Sequence, residues 1–85
     1  MAKFIIAKQL AGKRIITNDG EDLGRLVDIT ISETSGKLES ILFEPNLDNM
    51  TARKMKREGG LASIPYEAVL AASDHMIVDK KSIGY

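Results

Sequence analysis

Glycine-centred turn signals cut this chain into short pieces, and their spacing constrains the fold more than any other feature. Asn18-Asp19-Gly20, Ser35-Gly36 and Gly59-Gly60 stand at intervals that suit strands better than helices. Between the first two marks, Val27, Ile29 and Ile31 alternate with Asp28, Thr30 and Ser32, the period of a strand with one dry and one wet face. Ahead of it, Arg14 to Thr17 is a short β-branched run. Asp19-Gly20 tolerates the positive φ of a tight turn, so these two segments are expected to form a hairpin.

The other segments read in the same way. Lys37 to Glu44 is a strand that carries Leu38 and Leu42 on one face and Ile41 and Phe43 on the other. Pro45 ends it, because proline cannot donate to a ladder. Apolar groups on both faces imply a core on one side and a partner on the other, and Ile41 and Phe43 are assigned to the partner side. Phe4 to Ala7, Leu61 to Ile64 and His75 to Asp79 supply further strands. Pro65 to Leu70 reads as one helical turn, with Tyr66, Val69 and Leu70 at i, i+3 and i+4. The expectation is an all-β fold, one small barrel over residues 1–85, with five to six short antiparallel strands, a core at about 4–79 and a frayed tail at 80–85.

Composition narrows the classes. An 85-residue chain has room for one core. Twelve basic and twelve acidic residues cancel, so no long-range field draws the whole molecule to nucleic acid or to an anionic membrane. The absence of cysteine removes disulfides, thiolate nucleophiles and the usual structural zinc sites. No apolar run approaches the roughly 20 residues of a membrane-spanning helix or the about 7–15 of a signal core, and a soluble cytoplasmic protein is expected.

Taken in order, Gly12-Lys13 before a short strand, Asn18-Asp19-Gly20-Glu21-Asp22-Leu23-Gly24, and Ile64-Pro65-Tyr66-Glu67 resemble the PRC-barrel family over roughly Lys8 to Asp79. That family is similar to the cytoplasmic domain of the photosynthetic reaction-centre H subunit and to the C-terminal domain of the ribosome-maturation factor RimM. With neither a transmembrane helix nor a second domain, the chain resembles the stand-alone archaeal members most. The resemblance implies a role in cell division with SepF, the membrane anchor of the tubulin-like FtsZ. Its matching residues are turn and packing residues, which specify a fold more closely than a function.

Few residues invite a chemical role. Asp19-Gly20-Glu21-Asp22 crowds three carboxylates, but the alternate ligands and late glutamate of a calcium loop are missing, and a solvated hairpin turn accounts for it. Gly20 and Gly24 read as turn or bulge glycines, since neither a βαβ unit nor a Lys-Ser/Thr pair accompanies them. His75 is the single histidine. It has no nucleophile or oxyanion motif beside it, and Ser73 reads as a turn residue. No catalytic set, metal or cofactor is expected.

The least ordinary segment is Met50 to Gly60, where Arg53, Lys54, Lys56 and Arg57 crowd around Met50 and Met55. It reads as a docking arm, with Ile41, Phe43, Leu47, Met50, Arg53, Lys54, Met55 and Arg57 as the candidate partner or dimer contacts. Its alternatives are a solvated connection and a phosphate-binding patch. No stacking aromatics lie in the segment, so nucleic acid is disfavoured. Ile83 and Tyr85 are a lesser candidate for a short linear contact. The functional expectation is a non-enzymatic adaptor, a homodimer that binds a SepF-like protein and reaches the membrane only through it. The alternative is an RNA or ribosome-assembly accessory protein resembling the barrel domain of RimM.

Overall fold

The architecture is organised by one long strand. In the computed structural model, which describes residues 2–5 and 12–83, the chain runs through β1 (Ala2–Ile5), β2 (Arg14–Thr17), β3 (Asp22–Ser32), β4 (Leu38–Pro45), helix α1 (Met50–Lys54), β5 (Arg57–Glu58), β6 (Leu61–Pro65), a 3-10 turn (Tyr66–Ala68), β7 (Val69–Ala72), β8 (Met76–Val78) and a second 3-10 turn (Lys80–Ile83). The 11 residues of β3 pair with β4 along one edge. On its other edge the N-terminal half pairs with β2 and the C-terminal half with β1. Hydrogen bonds then order the sheet β5-β6-β4-β3-β2-β8-β7, and the sheet curls into a small PRC-type barrel.

The fold class is the expected one, with three differences. Eight strands, rather than five or six, join the sheet among the described residues. One pairing is parallel, β2 with β8, in the register Ile15↔Met76 and Thr17↔Val78. Distant segments can pair in parallel because the chain between them makes the crossover, and no local signal announces it. The turn at Pro65 is also shorter than expected, a 3-10 turn over Tyr66–Ala68, after which Val69 and Leu70 belong to β7. Ile6 and Ala7 of the expected first strand, and Tyr85, lie outside the described residues.

Register explains the core. Opposed residues of antiparallel strands share a face, so Ile29, Ile41 and Ile64 form one inward row across β3, β4 and β6, and Leu26, Phe43 and Ala62 form the next. Both rows are buried and join Ile15, Leu23, Met76 and Val78 from the other half of the sheet, with Ala52 from α1 and Met55 just after it. The outward rows are Asp28–Leu42–Ser63 and Thr30–Ser40–Pro65. Ile41 and Phe43 are therefore core residues, not partner contacts, and so is Met55. Period-2 patterning separates two faces but does not say which one turns inward. That choice falls to the longer inward rows of β3 and β6.

Phe43 has no exposed surface at all, which makes it the sharpest probe of this packing. Phe43→Ala should cost about 3–5 kcal/mol in urea denaturation. Phe43→Asp should leave no folded population by two-dimensional NMR, because it puts an unpaired charge into the core. A folded Phe43→Asp monomer would contradict the packing described.

Candidate functional site

The segment after β4 is built, not loose. A bulge opens between Ile15 and Ile16 where β3 carries an extra residue, since Ile15 pairs with Gly24 and Ile16 with Asp22. Leu23, the extra residue, turns into the core, and its carbonyl accepts from the Asn46 N–H at 2.8 Å. The Asn46 side chain donates to the Asp22 carbonyl at 3.1 Å and accepts from the Asp48 N–H at 3.1 Å. Asn49 then caps α1, its Oδ1 accepting from the Ala52 N–H at 2.8 Å. Asparagines at 46 and 49 ahead of the helix formers Met50, Ala52, Arg53 and Lys54 were the sequence signal for this helix. The run of charges after them reads more readily as a loop.

Glu21 locks the segment in place. Its Oε1 accepts from Thr51 Oγ1 at 2.9 Å and from Asn49 Nδ2 at 3.1 Å, while its Oε2 meets the ammonium of Lys80. Lys80 also lies 3.5 Å from Asp19, and its N–H donates to Asn18 Oδ1 at 3.1 Å. The C-terminal stretch expected to fray is thus a turn fastened to the β2–β3 hairpin, and Ile83 packs against the core. The carboxylates of the Asp19–Asp22 turn are committed to cations of the chain itself, Asp22 through a bidentate pair with Arg14 at 2.7–3.2 Å. Lys80 first, then Asn49 and Thr51, hold the Glu21 carboxyl below its ordinary 4.5. The Thr17 hydroxyl, helped by Lys80, lowers Asp19, and Glu21 foremost raises Lys80.

Anchored in this way, α1 has two faces. Thr51, Ala52 and Met55 face inward, whereas Met50, Arg53 and Lys54 are exposed. Leu47 and Met50 are 59% and 68% exposed, the most exposed large apolar side chains among the described residues. Arg53 and Arg57 line a shallow recess with Glu44, Pro45, Leu47 and Gly60. Of the expected contacts, the structure therefore gathers Leu47, Met50, Arg53, Lys54 and Arg57 on one surface and withdraws Ile41, Phe43 and Met55. Sequence reading missed a second surface, a more apolar groove on the outer face of β4 and β6. It is lined by Leu42, Leu61, Ser63 and Pro65, with Ile83 at its border.

His75 is exposed in the tight β7–β8 turn, where its carbonyl accepts from the Ser73 N–H at 3.0 Å. No described helix is long and apolar enough to cross a membrane.

Comparison with known proteins agrees with the fold. The PRC-barrel domain matches residues 3–82. An uncharacterized protein of Methanocaldococcus jannaschii is 34% identical over 78 residues, covering 92% of this chain and 84% of that protein.

The Glu21 cluster should set the pH response. Carboxyls lowered in the folded state stabilise it above their ordinary range and lose that contribution as pH falls below about 4.5. Lys80, raised in the folded state, keeps its contribution until pH climbs past 10.5. Glu21→Gln should therefore melt below the parent at pH 7, and the gap should narrow on acidification to about pH 3. A gap that stays constant across melting curves would remove Glu21 from this role.

Proposed function

The chain belongs to the PRC-barrel family, and from that premise we propose that it is a non-catalytic protein-interaction adaptor whose docking surface is the exposed ridge of α1. One observation carries this reading: Leu47 and Met50 stand open to solvent on a segment that Asn46, Asn49 and Thr51 hold rigid. A backbone already anchored needs little further ordering on binding, which favours a protein partner for the apolar side chains it presents. Methionine in particular adapts to irregular surfaces.

In the finer reading, the protein is cytoplasmic and is recruited to the division site of an archaeal cell by a SepF-type membrane anchor, in the service of FtsZ. This finer reading rests on the resemblance to stand-alone archaeal PRC-barrel proteins; the uncharacterized relative in Methanocaldococcus jannaschii supports kinship with an archaeal protein and no particular role. Self-association belongs to the same proposal. With Ile41 and Phe43 inside, the surface for a second copy moves to the outer groove around Leu42, Leu61 and Pro65.

Two experiments test these statements. Tagged protein should capture SepF or FtsZ from native lysate despite nuclease and moderate salt, and Leu47→Ser with Met50→Ser should abolish capture without lowering the melting temperature. Ribosomal proteins or RNA that disappear on nuclease treatment would favour a ribosome-assembly role instead, since phosphate contacts weaken steeply with salt. In sedimentation equilibrium, Leu42→Glu should turn a dimer into a folded monomer. A parent protein that is already monomeric would end the self-association proposal.

A further inference from the structure

The cations beside the ridge take part in no ion pair among the described residues. Among the described residues, the ion pairs within 4.0 Å join Arg14 to Asp22 and Lys80 to Asp19 and Glu21, and none reaches Arg53, Lys54, Lys56 or Arg57. Three carboxylates, Glu44, Asp48 and Glu58, flank the same segment, all exposed. Arg53 and Arg57, four residues apart, both line the recess, whose other walls are Pro45, Leu47, Gly60 and the Glu44 side chain. The recess thus brings two arginines together with the apolar Pro45 and Leu47 and one acidic residue, Glu44.

That arrangement discriminates among anions. A nucleic acid strand or an anionic bilayer would carry negative charge across the whole face, against Glu44, Asp48 and Glu58 as well as toward the arginines. Among the described residues a nucleic acid would also find no aromatic side chain on the ridge to stack on, since Phe43 is buried and Tyr66 lies in the turn after β6. A single carboxylate placed at the two arginines meets the fork geometry that suits guanidinium, and it brings less negative charge toward Glu44, Asp48 and Glu58 than a polyanion does. An apolar neighbour on the same segment would then cover Leu47 and Met50.

We propose that the α1 recess recognises a short acidic-apolar peptide segment of a protein partner, with one carboxylate held by Arg53 and Arg57 and an adjacent aliphatic side chain resting on Leu47 and Met50. The inference rests on the adaptor reading and adds the chemistry of the partner's contact.

The test is an NMR titration of the isotope-labelled full chain with four probes. These are a capped peptide carrying two glutamates between leucines, its glutamine counterpart, oligouridylate, and phosphatidylglycerol vesicles. The glutamate peptide should move the amide signals of Leu47, Arg53, Arg57 and Gly60. The glutamine peptide should bind at least about tenfold more weakly, as should the glutamate peptide to Arg53→Gln with Arg57→Gln, because charge-assisted bonds are roughly twice as strong as neutral ones. Equal binding of the two peptides, no shift at these amides, or preference for oligouridylate or vesicles would each overturn the proposal. If the two peptides bind alike while Leu47→Ser with Met50→Ser still abolishes partner capture, the adaptor reading survives and the acidic preference falls. If capture survives that double substitution, the ridge itself is the wrong surface.

Discussion

At Gly24 the backbone of β4 passes through the space where a side chain would begin. A Cβ placed there would lie 2.1 Å from the Glu44 carbonyl oxygen, and φ is +149°, so only glycine lets β3 and β4 approach so closely. The rest of the structure hangs on that approach. It lies in the half of β3 that pairs with β2, beside the bulge that turns Leu23 inward. The bulge in turn leaves the Asp22 and Leu23 backbone carbonyls free to fasten Asn46. The surface proposed to dock a partner is therefore a consequence of how the central strand is kinked.

A second constraint, electrostatic in kind, finishes the job. Glu21 gathers three separate parts of the chain: the β2–β3 turn on which it sits, the N-terminal end of α1, and the C-terminal turn through Lys80. Each donor it accepts is polar and would otherwise need water, so the cluster is a hydrogen-bonded joint between elements that share little apolar contact. This division of labour suits a domain of 85 residues, whose single core is small and whose peripheral segments are tied by polar contacts as well. It also accounts for a surface that is anchored and yet exposed. The PRC-barrel fold supplies the frame, and what the protein does depends on the few side chains the frame holds outward.

Much of this was legible from residue order. The β2–β3 hairpin follows from its β-branched run and the Asn18-Asp19-Gly20 turn, where Gly20 has φ +91°. β3 follows from strict alternation, and the end of β4 from Pro45. The position of α1 was partly legible, in the asparagine cap and helix formers after it, but clustered charge concealed the signal. The second half of the Pro65 turn was misread because Val69 and Leu70 fit helical spacing and a strand equally well over so few residues. Lys80 to Ile83 looked like a tail because its anchor, Glu21, lies far away in the chain.

By itself, the sequence determined the elements whose causes are local: turns where glycine supplies positive φ and strands where side chains alternate. It also determined the class of protein, through a neutral charge balance, the lack of cysteine and the order of motifs shared with the PRC-barrel family. Only the tertiary structure decided which face of β4 is inside, which strand lies parallel to β2, and which members of the basic segment reach solvent together. Those are relations between distant residues. Alternation has the same period whichever face is buried, and a carboxylate carries the same charge wherever its partner lies, so their outcome is set when the strands pair and the rows of Ile29, Ile41 and Ile64 come into register.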